Sequence, residues 1–137
     1  MLSPKRVIVD TSALYALTSA TDAFHTQAKS SYERLLDWEW ELCITSYILV
    51  ETSALMHHRL GFQPLITFME TALSDVVRIV WVENTIHGEA WRRMMRRQGR
   101  DFSLVDWTTM VVAEQLKASV FTFDQGFRHE GILIFPH

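Results

Sequence analysis

Cys43 is the chain's one cysteine, which excludes an internal disulfide framework and any cysteine-based zinc cluster. Alone, it is expected to be a packed thiol in a reducing compartment. Long apolar runs are also missing. No eighteen consecutive residues lack a charge, so a membrane-spanning helix is excluded. Basic charge is not in excess: thirteen Lys and Arg stand against sixteen Asp and Glu, a net charge of −3. Any nucleic-acid contact must therefore use a local patch and not the field of the whole molecule. The six histidines show no metal-ligand spacing. His57 and His58 are adjacent and diverge on a helix, while His25, His87, His129 and His137 are scattered, which argues against zinc. There is no internal repeat, low-complexity tract or linker. The start, Met1-Leu2-Ser3-Pro4-Lys5-Arg6, leads straight into a strand-like run and does not resemble a cleavable signal. A soluble, cytoplasmic protein is expected.

What is present suits one core. The length of 137 residues matches a single domain spanning 1–137. With 48% hydrophobic residues, among them five Trp and eight Phe, the chain can fill that core without a staple.

Hydrophobic patterning gives the element order. Val7 to Val9 reads as a strand, and Asp10-Thr11-Ser12 as the start of a helix over Ala13–Leu17. A second helix runs from about His25 to Trp38, with Ala28, Tyr32, Leu35 and Leu36 as its apolar stripe. Leu42 to Ile44 is a short buried strand; Thr45-Ser46 can cap a helix to about His58. Gly61 ends that pattern, and Pro64 fits the first turn of a helix from Gln63 to Leu73. Val76 to Val82 is a strand and Asn84 to Arg97 a helix, with Ile86, Ala90 and Met94 on its inner face and Gly99 as its stop. Ser103-Leu104-Val105-Asp106 matches a capping box opening a helix to about Lys117. Val120–Phe123 and Ile132–Phe135 are the last strands, with a short helix between them. This alternation requires a parallel sheet covered by helices.

Four carboxylates mark these runs: Asp10, Asp106 and Asp124 at their ends or starts, and Glu51 inside a helical run. In an open α/β fold such acids converge outside the carboxyl ends of the strands, and the placement reads as one metal site. Each also has a plainer reading. Asp10 can cap a helix, Asp106 can complete its capping box with Ser103, and Asp124 can sit in a surface turn. Glu51 is harder to dismiss, because Ile48 and Leu55 place it on an apolar stripe, where a carboxylate needs a partner.

Val9-Asp10-Thr11-Ser12, the helix-borne Glu51, Ser103-Leu104-Val105-Asp106 and Thr122-Phe123-Asp124-Gln125-Gly126-Phe127 together resemble the PIN domain, most closely its VapC toxin branch. The resemblance covers nearly the whole chain. It implies a three-layer α/β/α sandwich with a central parallel sheet, and a metal-dependent ribonuclease site made by Asp10, Glu51, Asp106 and Asp124, with Thr11, Ser103 and Thr122 orienting the acids. It further implies the toxin half of a toxin–antitoxin pair, a homodimer silenced by a small antitoxin protein. Two departures are visible: bulky Trp107 follows Asp106 where a small residue is usual, and Gly126 stands where many members carry another acid.

Clustered carboxylates raise one another's pKa within about 4 to 6 Å, so four together call for a cation. Oxygen-only donors select Mg²⁺ or Mn²⁺, which activates water and neutralises phosphate charge in RNA hydrolysis. In that scheme Asp10 and Asp106 are the principal ligands. Arg92, Arg93, Arg96, Arg97 and Arg100 form the one dense basic patch, open to RNA, to an acidic partner, or to solvent. Trp38 and Trp40, and Tyr47, Met56, Phe62, Phe68 and Met69, read as core before they read as a binding surface. The alternative to the enzyme is a non-catalytic PIN-like module that binds RNA or protein.

Overall fold

A computed structural model describes residues 5–136. Residues 1–4 and His137 lie outside the described residues. The chain alternates as the patterning requires: β1 (Arg6–Val9), α1 (Thr11–Thr18), α2 (His25–Asp37), β2 (Glu41–Thr45), α3 (Ser46–Leu60), α4 (Phe62–Ala72), β3 (Val77–Val80), α5 (Asn84–Arg96), α6 (Leu104–Leu116), β4 (Ser119–Phe121), a 3₁₀ turn (Gln125–Glu130) and β5 (Ile134–Phe135).

All neighbouring strands pair in parallel in the order β3-β2-β1-β4-β5. The central strands β1 and β4 carry apolar runs without alternation because helices cover the sheet, whereas edge strand β3 is interrupted by exposed Arg78. Val7, Ile8, Cys43, Val120 and Phe121 are completely buried. This is a three-layer α/β/α sandwich. The chain begins in the middle of the sheet at β1, winds outward through β2 and β3, then returns to build β4 and β5 on the other side. Strand order therefore reverses between β1 and β4, the position where open α/β sheets leave a crevice.

Local chemistry sets the helix ends. Thr45 accepts the Ile48 N–H at 3.0 Å and opens α3, a cap worth about 1 kcal/mol. Gly61 then stops α3 with φ +99°, a left-handed conformation that costs a side-chain-bearing residue strain. Ser103 and Asp106 form a complete capping box at α6. Among the described residues no helix is long and apolar enough to cross a membrane.

Two expectations shift. Leu36 does not join the buried stripe of α2: it is exposed, and Ser31 takes the inner position with Ala28 and Leu35. Tyr32 is only partly buried against the core. The aromatic and Met group also divides, because Met56 and Phe68 are buried while Phe62 lies exposed. Cys43 is packed as expected, and burial pushes its thiol up to about 11.

Candidate functional site

Asp10 follows the last residue of β1 and is buried. Its backbone is extended and its side chain turns back as the N-cap of α1, accepting the Thr11 N–H at 2.8 Å on Oδ1. Oδ2 accepts from Thr122 Oγ1 at 2.7 Å and from Ser12 Oγ at 3.2 Å. Thr122 comes from the end of β4, across the switch point. The two central strands thus share one hydroxyl–carboxylate network. Ser12 accepts the Phe123 N–H at 3.1 Å, and Thr122 accepts the Asp124 N–H at 3.0 Å, so the residues after β4 are pinned to the start of α1.

Glu51 reaches the same place from α3. It is half-buried, and its Oε1 accepts from Thr11 Oγ1 at 2.7 Å. Thr52, completely buried, donates to that Thr11 oxygen at 3.2 Å. The carboxylate on the apolar stripe has found its partner. Asp106 is held from α6, where Oδ2 accepts both the Ser103 N–H and the Ser103 Oγ–H at 3.0 Å. Asp124 is exposed and accepts the Gly126 N–H at 2.9 Å on Oδ1.

The electrostatics link these acids. Burial, reinforced by the charge of Asp106, pushes the Asp10 carboxyl from 3.8 up to about 6 against the lowering hydrogen bonds of Thr122, Thr11 and Ser12. Asp106 is also raised, chiefly by burial and further by Asp124, against its Ser103 bonds. Among the described residues none of the four acids pairs with an Arg, Lys or His. Negative charge has accumulated here without an ion-paired partner among the described residues.

The plainer local roles are therefore real, since Asp10, Asp106 and Asp124 each serve a cap or turn. They use only part of each carboxylate. No hydrogen bond among the described residues reaches Glu51 Oε2, Asp106 Oδ1 or Asp124 Oδ2. The donor set is all oxygen and partly unused, which fits a hard divalent cation. The acids do not form a closed cage: among the described residues no group of three or more His, Cys, Asp or Glu is arranged to hold an ion. Mg²⁺ commonly takes only one or two carboxylates and keeps its waters, so an open arrangement suits it better than a dedicated cage.

A family model for the PIN domain matches residues 7–132. The chain belongs to the PIN domain family. Within that family it is 32% identical over 129 residues to the 23S rRNA-specific endonuclease VapC20 of Mycobacterium tuberculosis, covering 93% of this chain and 95% of that protein. The crystal structure of VapC20, described as a sarcin–ricin loop cleaving toxin, superposes with a TM-score of 0.82 at 30% identity, covering 93% and 96% of the two chains. A VapC ribonuclease of Archaeoglobus fulgidus is 26% identical over 123 residues, 88% of this chain and 78% of that protein. VapBC2 from Rickettsia felis, bound to a promoter DNA fragment, shares the fold at a TM-score of 0.71, with 13% identity and coverage of 94% and 96%.

The two departures from the PIN pattern have structural accounts. Trp107 is buried in the core, edge-on to Phe102 at 5.5 Å and beneath the Arg97 guanidinium. At Gly126 an added Cβ would stand 3.0 Å from Asp124 Oδ1 and 3.2 Å from Phe102 Cζ. The glycine lets its N–H turn onto Asp124, and a further acid there would crowd it.

The arginine patch is mostly neutralised from within. Arg92, Arg93 and Arg96 converge on Glu89, and Arg93 also forks onto Glu114 at 2.7 and 3.0 Å, tying α5 to α6. Arg97 pairs with Glu130 and Asp101. Among the five, only Arg100 makes no ion pair among the described residues; it donates to the Arg97 carbonyl. This arrangement favours an internal brace over an RNA-binding face. Trp38 packs on Trp40 and edge-on to Phe135, away from the acids. Sequence reasoning missed Ser12 and Thr52, although both adjoin named residues and carry hydroxyls suited to the network.

Proposed function

We propose that this chain is an Mg²⁺- or Mn²⁺-dependent endoribonuclease and the toxin half of a toxin–antitoxin pair. One observation supports the reading: at the switch point buried Asp10 feels the charge of Asp106, Asp106 feels that of Asp124, Glu51 is tied to Thr11 beside Asp10, and among the described residues no cationic side chain pairs with any of the four. The similarity to VapC20 and to the A. fulgidus VapC ribonuclease supports RNA as the substrate. A ribosomal stem–loop is the first RNA to test, because VapC20 is named for 23S rRNA.

A divalent cation, when bound, neutralises the scissile phosphate and makes attacking water more acidic. Asp10 and Asp106 are the residues proposed to hold it, because burial makes their charge hardest to leave uncompensated. Glu51, fixed by Thr11, faces the same place and would orient water through its unused oxygen. Asp124 completes the negative rim from the exposed side of the site. Thr122, Ser12 and Ser103 set the angles of Asp10 and Asp106. The chain's own work is thus to preorganise carboxylate oxygens around a phosphodiester.

Partners follow from the same relatives. A small antitoxin protein would silence the site, a reading supported by the shared fold with VapBC2. Exposed Val50, Trp81, Trp91 and Met95 offer apolar surface for a homodimer. The open geometry of the acids keeps a second reading in play, a non-catalytic module that binds RNA or protein. Cleavage decides between the two. Purified, antitoxin-free protein should cut a sarcin–ricin stem–loop RNA with Mg²⁺ or Mn²⁺, and cutting should vanish with EDTA and in Asp10→Asn. Folded protein that binds these RNAs without cutting any would support the module instead.

A further inference from the structure

Beside the acids lies a cavity of about 370 Å³, bordered by Thr11, Ser12, Tyr15, Phe24, Arg59 and Phe123. It shares Thr11 and Ser12 with the carboxylate network, so anything seated in it abuts the acids. Its walls combine two chemistries. Phe24 stacks flat on Phe123, with ring centroids 4.6 Å apart and planes 9° from parallel, yet Phe24 stays 45% exposed. Solvent would ordinarily disfavour leaving so much of a ring open. The ring is not there by slackness: the Phe24 N–H donates to Asp22 Oδ1 at 2.8 Å, and its carbonyl accepts the Ala28 N–H at 2.8 Å. The loop presents it.

Arg59, in the last turn of α3, faces the same cavity with its guanidinium 5.6 Å from the Tyr15 ring centroid. It makes no ion pair among the described residues, whereas Arg92, Arg93, Arg96 and Arg97 are all committed to carboxylates. A guanidinium stacked on an aromatic face is preorganised for a phosphate. An exposed ring pair accepts a nucleobase of any kind, since every base has a π-face.

We infer that this cavity is the subsite for the nucleotide flanking the scissile phosphate, with its base stacked on the Phe24–Phe123 pair and its own phosphate held by Arg59. The inference rests on the ribonuclease reading above. It makes Phe24 and Arg59 positioning residues that register the RNA against the acids, and it accounts for why the dense arginine patch on α5 is not needed for that task.

The test uses the full-length, antitoxin-free protein and a short RNA stem–loop. Phe24→Ala should raise KM about tenfold or more, in keeping with the loss of one stacked base, with kcat moving less. Arg59→Ala should raise KM similarly and flatten the salt dependence of RNA affinity by about one phosphate contact. Replacing the flanking nucleotide by an abasic one should raise KM for the wild type and leave Phe24→Ala unaffected. Unchanged KM in both variants, or losses confined to kcat, would overturn the subsite. So would variants that lose antitoxin affinity while binding RNA normally. Binding is measured in parallel in an Asp10→Asn background, where no cleavage is needed. Wild-type protein that never cuts would sink the ribonuclease reading, whereas RNA affinity indifferent to Phe24 and Arg59 would sink this one.

Discussion

Asp10 should make the metal-free protein less stable at neutral pH than an amide in its place would. Its folded carboxyl titrates at about 6 in place of 3.8, mainly because the group is buried. With a tenfold change in proton affinity worth about 1.4 kcal/mol, that difference amounts to about 3 kcal/mol. The sign follows from proton binding. Between about pH 4 and 6 the folded protein holds the Asp10 proton more tightly than the unfolded chain does, so stability falls as pH rises through that window and the cost is complete by about pH 7. Asp10→Asn removes the charge. It gives up one charge-assisted acceptor, but its amide can donate to Thr122 Oγ1, which can turn its own proton toward Ser12 Oγ, 3.2 Å away. With about 1 kcal/mol allowed for weakened hydrogen bonds, Asp10→Asn should be about 2 kcal/mol more stable than wild type at pH 7.5 in EDTA. For a chain of this length that is a rise in Tm of about 7 °C.

The assay is thermal and urea unfolding of both proteins at pH 4.5 and 7.5, in EDTA and in Mg²⁺. The advantage of Asp10→Asn should disappear at pH 4.5, where wild-type Asp10 is protonated. Mg²⁺ at ten times its Kd should add about 1.4 kcal/mol to the wild type by mass action and less to the variant. Activity should run the other way, with cleavage nearly abolished in the more stable protein. An Asp10→Asn protein less stable than wild type at pH 7.5 in EDTA, or a difference that ignores pH, would refute the claim that burial and like charge hold this site in tension.

Other expectations follow from the same network. Thr11→Val should free Glu51 Oε1 and leave the buried Thr52 hydroxyl without its acceptor; metal affinity, read by calorimetry, should fall about 10- to 100-fold, as for lost outer partners of a metal ligand. Ser103→Ala should cost about 1 kcal/mol through the broken capping box, measurable as a lower Tm, and should weaken activity by loosening Asp106. Arg93→Ala should cost about 0.5–1 kcal/mol as a mostly surface brace and leave the salt dependence of RNA binding unchanged, with a double-mutant cycle against Glu114 locating the coupling.

The fold was readable because its signals are local and repeated. Val7-Ile8-Val9 and Val120-Phe121 are apolar without alternation, as strands covered on both sides must be, and Ser103-x-x-Asp106 announces a helix start by the hydrogen bonds it then makes. The acids drew notice for a similar reason, Asp10, Asp106 and Asp124 standing where an element turns and Glu51 on an apolar stripe inside α3. What the sequence could not carry was distance between elements. Nothing about Ser12 or Thr52 alone says that one bridges β1 to Phe123, or that the other donates to the hydroxyl holding Glu51. The arginines left their role open for the converse reason. Their spacing showed a basic helix face, but the acids that occupy it arrive partly from elsewhere, Glu114 from α6 and Glu130 from the turn before β5. Arg59, unremarkable in sequence beside that cluster, makes no ion pair among the described residues and lines the cavity beside Asp124, because α3, which carries Glu51 in its first half, ends with Arg59 over Tyr15 of α1. Charge density along a chain therefore predicts ion pairing as readily as ligand binding. The discriminating quantity is whether the tertiary fold has already supplied the counter-charge.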